Sequence, residues 1–174
     1  YQKYMEMGNQ VEAEKYLLID PDDKSEYYSA QGFTDNIMNI CRESSFTFYE
    51  KVIDEIYLMY KDAGIEMTKF GVAADELPYG AWQKSPMCDK FMSENSISGD
   101  YNALYELMQR RIYNKISSYG ATMTGWDDIL LKLTEKNQSE TQIKDFFKDD
   151  DILLFVWKND WGQGRQDMIY KYAN

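Results

Sequence analysis

Residues 67–74, Met-Thr-Lys-Phe-Gly-Val-Ala-Ala, are the best starting point for predicting the fold of this chain. They form a short and mostly apolar run, and turn-forming residues that include Pro78 and Gly80 follow it. A run of this length that ends in turn formers is typical of a buried β-strand. We therefore expect a strand at 67–74 and a loop over residues 75–89.

Helical patterns flank this strand on both sides. Before it, Thr47 and Glu50 predict a capping box for a helix that ends near Gly64. The apolar residues expected on the inward face of this helix are Phe48, Val52, Ile56, Met59 and Ala63. After the strand, Asp100 predicts the N-cap of a second helix that Gly120 ends. Its expected inward residues are Leu104, Leu107, Met108, Ile112 and Ile116.

The remaining chain continues the alternation of helix and strand. Short strands are expected at 121–125 and 152–157, and helical segments at 127–133, 140–148 and 164–173. This order predicts βαβ units, a parallel sheet and right-handed crossovers. Three strands are too few for a complete doubly wound sheet, or for a (β/α)8 barrel of about 250 residues. We therefore expect the 174 residues to be a piece of a larger α/β domain.

The first 45 residues follow a different pattern. Residues 1–15 are expected to be the tail of a helix, whereas residues 16–45 show no sustained period and many turn formers. This predicts a long loop. Loops of this length are uncommon in compact domains and are often functional.

Composition limits the possible functions. The chain has 19 Lys and Arg against 30 Asp and Glu, a formal charge of -11, and no histidine. The acidic balance argues against nucleic-acid binding, which needs a basic face. Without histidine, the chain cannot form a Ser-His or Cys-His nucleophile pair or a histidine-ligated zinc site. Acid–base chemistry must then come from Asp, Glu, Tyr, Lys or a thiol.

The two cysteines and the apolar runs carry less information. Cys41 and Cys88 cannot make a four-cysteine metal site, and the sequence leaves open whether they form a disulfide. No apolar run approaches the roughly 18 residues of a membrane span. No signal-peptide pattern opens the chain, which starts at Tyr1 without a methionine. The sequence assigns no oligomeric state.

Acidic and aromatic residues follow each predicted strand. Asp75-Glu76 come after the first strand, Trp126-Asp127-Asp128 after the second and Trp157 to Trp161 around the end of the third. The carboxyl ends of parallel strands carry function in α/β folds. Indole faces can stack on sugars, and carboxylates can bind hydroxyls or donate a proton. The alternatives are core packing for the tryptophans and helix N-capping for Asp127 and Asp128, which is the favoured interpretation of those two.

The segment 70–88 resembles the acid–base segment of family-20 glycoside hydrolases, most of all the bacterial chitobiase-type β-N-acetylhexosaminidases. It reads Phe-Gly-Val-Ala-Ala-Asp-Glu-Leu-Pro-Tyr-Gly-Ala-Trp-Gln-Lys-Ser-Pro-Met-Cys. Further motifs follow the same family in the same order, and they lie at residues 17–29, 35–36, 48–64, 124–129 and 156–157. The resemblance thus covers essentially the whole chain.

The resemblance implies a fold and a location. The family's catalytic domain is a (β/α)8 TIM barrel, so residues 1–174 would be a central fragment of that single domain. They would cover about strands four to six, with 16–45 as a long βα loop and 67–174 as three strand–helix units. A secreted or periplasmic location is implied as well.

The resemblance also implies an activity and site residues. The activity is hydrolysis of terminal non-reducing N-acetyl-β-D-hexosamine residues of chitooligosaccharides or glycans. It is retaining and substrate-assisted, through an oxazolinium intermediate, without metal or cofactor. Glu76 would be the general acid/base and Asp75 would orient the 2-acetamido group. Trp126 and Trp157 would wall the sugar pocket, and Trp82 is a further substrate-binding candidate.

Some positions depart from the family pattern. Gly71 stands where the family has histidine, and Ala73-Ala74 replace a glycine-bearing pair. Other parts of the family's pocket, including its sugar-binding arginine, come from other strands. The alternative is therefore a catalytically silent sugar-binding relative, or a barrel fragment that is inactive alone.

Overall fold

A parallel three-stranded sheet organises the protein, which we analyse as a computed structural model describing residues 1–97, 99–134, 142–157, 159–161 and 165–173. Its strands are β1 (Lys69–Gly71), β2 (Thr122–Trp126) and β3 (Ile152–Phe155), in that spatial order. Phe70 pairs with Met123, and Thr124 pairs with Leu153. The parallel α/β arrangement predicted from the alternation is confirmed.

Helices connect and flank the strands. They are α1 (Gln2–Glu6), α2 (Gln10–Glu14), α3 (Glu43–Asp62), α4 (Pro86–Glu94), α5 (Tyr101–Ser117), a 3₁₀ helix (Asp127–Leu130) and α6 (Met168–Tyr172). In the described part of the chain, no helix has the length and apolar character needed to cross a bilayer.

The predicted start of α3 is wrong, and of its five predicted inward residues only Ile56 packs against the core. The helix begins at Glu43, so Thr47 lies inside it and its hydroxyl donates to the Glu43 carbonyl at 3.1 Å. The side chains that face the interior are Phe46, Tyr49, Ile53, Ile56 and Tyr57, whereas Phe48, Val52, Met59 and Ala63 are exposed. Both stripes are apolar at helical spacing, and contact with α5 and the sheet selects the first.

Helix α5 follows the sequence prediction closely. Asp100 is its N-cap and accepts a hydrogen bond from the Asn102 N–H at 2.9 Å. Leu104, Ile112 and Ile116 are buried and Met108 packs against the core. Leu107 is the exception, because it is 38% exposed.

The long loop and the segment after β1 form a second hydrophobic cluster. Of the predicted loop 16–45, residues 16–42 contain no helix or strand, as predicted, whereas residues 43–45 belong to α3. The loop packs against α4. Helix α4 begins at Pro86, so the loop predicted over residues 75–89 is wrong for residues 86–89. Its signal was present in the sequence, since Ser85 caps the helix by accepting from the Cys88 N–H and Pro86 takes the first position.

Covalent and polar contacts join the loop to α4. Cys41 and Cys88 form a disulfide, with 5.2 Å between their Cα atoms. The Asn39 amide donates to the Ser85 hydroxyl at 3.0 Å, and that hydroxyl donates to buried Asp20 at 2.6 Å. The loop is thus fixed along its length although it has no regular structure.

The C-terminal predictions are confirmed only in part. Strand β3 ends at Phe155, two residues early, and the helical run predicted at 127–133 is a single 3₁₀ turn. Residues 142–148 form turns and a bridge between Ile143 and Leu131 instead of the predicted helix, whose first two residues lie outside the described residues. Helix α6 is shorter than predicted, and residue 164 lies outside the described residues.

Candidate active site

The chain turns sharply after β1, and this turn presents the two predicted carboxylates. The Val72 N–H donates to the Thr124 carbonyl at 2.8 Å, and the Trp126 N–H donates to the Ala73 carbonyl at 3.0 Å, so pairing with β2 continues past the strand. Ala73, Ala74 and Glu76 then have φ values of 55°, 63° and 56°. L-residues rarely adopt this left-handed backbone. It breaks the alternation of a strand and turns Glu76 inward.

A glycine on β2 allows the two strand ends to approach. A Cβ at Gly125 would lie 2.4 Å from the Ile129 side chain and 3.0 Å from the Ala73 carbonyl oxygen. A side chain there would displace the Ile129 side chain and crowd the Ala73 carbonyl oxygen. Gly125 therefore lets the 3₁₀ helix and the turn after β1 close around the end of the sheet.

Glu76 lines a cleft of about 200 Å³ at this end of the sheet. The cleft wall also contains Tyr28, Ala74, Tyr105, Asp128 and Trp157. Two of the predicted site residues, Glu76 and Trp157, are therefore brought together. Asp75 is exposed and adjacent in the chain, but it is not part of the wall.

The long loop supplies a contact that the sequence did not predict. The Gln31 side-chain amide donates to Oε2 of Glu76 at 2.7 Å, across 45 residues of chain. The sequence does not predict this contact, because Gln31 lies in a loop that has neither helical nor strand periodicity.

Asp127 and Asp128 hold Trp157 instead of capping a helix. The N-cap position of the 3₁₀ helix is Trp126, so both aspartates lie inside its first turn. The Trp157 indole N–H donates to Asp128 at 2.7 Å, and the Trp157 main-chain N–H lies 3.4 Å from Asp127. Tyr172 donates its hydroxyl to Asp127 at 3.0 Å. Burial raises the pKa of the Asp127 carboxyl, and the hydrogen bonds from the Trp157 main chain and the Tyr172 hydroxyl oppose that rise. The capping interpretation is therefore wrong.

The other two tryptophans predicted for the site, Trp126 and Trp82, lie outside the cleft wall. Trp126 is 38% exposed, and its ring centroid lies 5.7 Å from that of Phe155. Trp82 is 3% exposed, and its indole N–H donates to the Met38 carbonyl at 3.0 Å. Sugar binding by Trp82 stays a prediction, and its burial favours a packing role.

Tyr105 is a residue of the cleft wall that the sequence did not predict. It is 3% exposed, and its hydroxyl donates to the Ala74 carbonyl at 3.3 Å. The Lys144 ammonium lies 5.0 Å from the centre of its ring. Burial raises the pKa of the Tyr105 hydroxyl, so it remains a donor. Tyr105 lies on α5 beside Leu104, where an aromatic residue is typical of core packing. The sequence therefore gives no sign that Tyr105 lines the cleft.

Sequence comparisons identify relatives over most of the chain. Residues 2–171 match the family model described as glycosyl hydrolase family 20, catalytic domain. A beta-hexosaminidase of Vibrio vulnificus is 41% identical over 129 residues, which cover 74% of this chain and 15% of that protein. An N,N'-diacetylchitobiase of Vibrio harveyi is 38% identical over 81 residues, covering 44% of this chain and 9% of that protein.

Solved structures agree with these matches. A crystal structure of a GH20 exo-beta-N-acetylglucosaminidase from Vibrio harveyi, in complex with N-acetylglucosamine, aligns with a TM-score of 0.63 and 28% identity. The alignment covers 86% of this chain and 20% of that one, so the chain spans a fifth or less of the relatives described here. With the family model matched over residues 2–171, the chain belongs to glycosyl hydrolase family 20, within its catalytic domain.

Proposed function

We propose that the chain is part of an exo-acting β-N-acetylhexosaminidase in which Glu76 is the general acid/base. The observation that carries the proposal is the position of Glu76 in a cleft whose wall includes Trp157 and Tyr28. Aromatic faces match the apolar face of a sugar ring, and a carboxyl beside them can reach a glycosidic oxygen. The names of the relatives, beta-hexosaminidase and diacetylchitobiase, agree with this substrate class.

The proposed reaction is retaining and substrate-assisted. The acetamido oxygen of the substrate attacks the anomeric carbon while Glu76 protonates the leaving oxygen, and the glycosidic C–O bond breaks. Glu76, now a carboxylate, takes a proton from a water molecule that opens the oxazolinium intermediate from the same face. Asp75 orients the acetamido group and stabilises its developing positive charge. Trp157, in the cleft wall, and Trp126, which ends β2 outside that wall, line the sugar subsite.

We also propose that the chain forms strands four to six of a (β/α)8 barrel. Strand β3 supports this, because both of its faces are apolar. Ile152 and Leu154 pack on the core below the sheet, whereas Leu153 and Phe155 are 42% and 48% exposed on the other side. In a closed barrel that second face would be interior. Within the described residues, β1 and β3 each pair only with β2.

The second candidate function is a catalytically silent sugar-binding relative. It is motivated by the strained turn, where Ala73 and Ala74 occupy backbone conformations that favour glycine, and by Gly71. Binding of an N-acetylglucosamine thiazoline without turnover of any substrate would support it.

A secreted or periplasmic location fits the disulfide between Cys41 and Cys88, because disulfides persist in oxidising compartments.

The test of the enzyme proposal is Glu76→Gln in the complete protein, assayed with 4-nitrophenyl N-acetyl-β-glucosaminide. Gln keeps the shape of the side chain but cannot donate or take the proton. Loss of general acid–base catalysis should lower kcat by about 10²- to 10⁴-fold. Glu66→Gln, at an exposed position before β1, is the matched control and should keep wild-type kcat. Near-normal hydrolysis by the Glu76 variant would refute the assignment.

A further inference from the structure

We propose that Gln31 is a positioning residue for Glu76, and that the loop 16–42 is built to deliver it. This inference rests on the proposed function, because it assigns Gln31 a role only if Glu76 is the acid/base. The geometry behind it is the 2.7 Å hydrogen bond from the Gln31 amide to Oε2 of Glu76. An ionised carboxylate only accepts hydrogen bonds, so the amide nitrogen must be the group that faces it.

A tight turn fixes the place of Gln31. The Gly32 N–H donates to the Ser29 carbonyl at 2.9 Å, which closes a β-turn with Gln31 at its third position. Ser29 is 1% exposed and binds Phe33 twice, through its own N–H to the Phe33 carbonyl and through its hydroxyl to the Phe33 N–H. Gly32 has a φ of +86°, which suits glycine. The turn is therefore held by its own hydrogen bonds.

The loop that carries this turn is attached to the segment that follows Glu76. The Lys24 N–H donates to the Lys84 carbonyl at 3.0 Å, and the Lys84 N–H donates to the Ser25 hydroxyl at 2.9 Å. At Gly80 a Cβ would lie 2.4 Å from the Glu26 carbonyl oxygen. The main chain of Gly80 therefore packs directly against the main chain of the loop. The Cys41–Cys88 disulfide holds the far end of the loop. Gln31 and Glu76 are thus placed by one connected unit.

The chemistry of the contact suits a general acid. A neutral amide that donates to Oε2 fixes the carboxyl plane and favours the proton of the acid form on Oε1. A lysine or arginine in the same place would stabilise the ionised form and oppose protonation. Gln31 therefore orients Glu76 without adding charge.

The experiment compares two leaving groups in the complete protein with Gln31→Met, which keeps length but removes the donor. On a chitooligosaccharide, whose leaving group needs protonation, kcat/KM should fall about tenfold. On 2,4-dinitrophenyl N-acetyl-β-glucosaminide, whose leaving group departs without much protonation, kcat/KM should change less than about twofold. We compare kcat/KM because it covers only the steps up to departure of the leaving group, in which Glu76 acts as the acid, and not the later step in which Glu76 is the base.

Gln10→Met is the matched control, because Gln10 also donates to a glutamate, Glu14, at 3.1 Å but lies on α2. It should leave both rates unchanged. Equal losses of the Gln31 variant on both substrates would indicate a merely structural role, and unchanged rates on both would show no role. Either result overturns the inference about Gln31. The proposed function still stands in both cases if the wild-type protein hydrolyses the substrates. A wild-type protein that hydrolyses neither substrate would overturn both.

Discussion

The residues that follow β1 hold backbone conformations that their side chains disfavour. Ala73, Ala74 and Glu76 all have positive φ, and each such L-residue costs about 1–2 kcal/mol. Strain of this kind persists where surrounding contacts hold it in place, and it is common at functional sites. Here the holding contacts are the hydrogen bonds of the Ala73 and Ala74 carbonyls to Trp126 and Tyr105.

Replacing Ala73 by glycine should therefore stabilise the protein. Ala73 is exposed with φ 55°, so Ala73→Gly relieves strain without opening a cavity. After the greater chain entropy of glycine is subtracted, the free energy of unfolding should rise by about 1 kcal/mol. Urea unfolding measures it. The same change at Ala103, inside α5, should instead lower stability by about 0.5–1 kcal/mol, and equal signs for the two variants would contradict the strain argument.

A buried lysine beneath Tyr105 makes stability depend on pH. Lys144 is 4% exposed, and its ammonium lies 3.3 Å from the Gln109 amide oxygen. Burial lowers the pKa of Lys144 to about 8, and the attraction of Glu106 and Asp100 only partly opposes this. The folded state therefore disfavours the charged lysine, whereas the unfolded chain does not.

The sign of the effect follows from proton binding. Between pH 8 and about 10.4 the unfolded chain holds the Lys144 proton more tightly, so stability rises with pH in that window. Below pH 8 the cost of burying the charge is fully present. Lys144→Met should thus be more stable than wild type at pH 7, by about 1–3 kcal/mol. The advantage should shrink in urea unfolding at pH 9.5, and an advantage independent of pH would refute this account.

At the scale of elements, the irregular loop 16–42 is attached to α4 at both of its ends. It has the disulfide at one end, and buried Asp20 at the other accepts from the Ser85 hydroxyl and the Met87 N–H. Hydrogen bonds to Ser85 and Met87 lower the pKa of Asp20, against the opposing effect of burial. The loop and α4 therefore act as one structural element, although neither strand nor helix pairing joins them.

Removing the disulfide should destabilise this element. The cysteines are 47 residues apart, and closing a loop of that length restricts the unfolded chain by about 4 kcal/mol. The double variant Cys41→Ser with Cys88→Ser should lose stability of that order, measured by urea unfolding. It should also show lower turnover of chitooligosaccharides, because the turn at Gln31 loses a tether. Dithiothreitol should lower the free energy of unfolding of the wild type and leave that of the double variant unchanged. An equal effect of dithiothreitol on both proteins would contradict the disulfide assignment.

At the scale of the whole molecule, the sheet exposes an apolar face over the site. Leu153 and Phe155 are exposed beside Trp126 and Trp157, all close to the carboxyl ends of β2 and β3. A sheet of three strands cannot cover such a face by itself. Among the described residues, the cleft at Glu76 has the wall given above, and the remaining strands of the proposed barrel would add to it.

The complete protein and residues 1–174 alone should therefore differ in activity. We expect turnover of 4-nitrophenyl N-acetyl-β-glucosaminide by the complete protein and none by the isolated residues at equal concentration. Circular dichroism should verify that the isolated residues are folded. Comparable kcat/KM values for the two would show that the described cleft is sufficient, contrary to the barrel proposal.

The sequence alone determined the order of the three strands and of the long helices α3 and α5, because periodicity and turn formers are local signals. Strands β1, β2 and β3, the Asp100 cap of α5 and the position of Asp75-Glu76 at a strand end all follow from neighbours in the chain. Tertiary structure decided which apolar stripe of α3 is buried, that Asp127 and Asp128 hold Trp157, and that Gln31 reaches Glu76. The physical reason is that these choices depend on partners 29 to 45 residues away or on competing faces of one helix, and no local pattern records them.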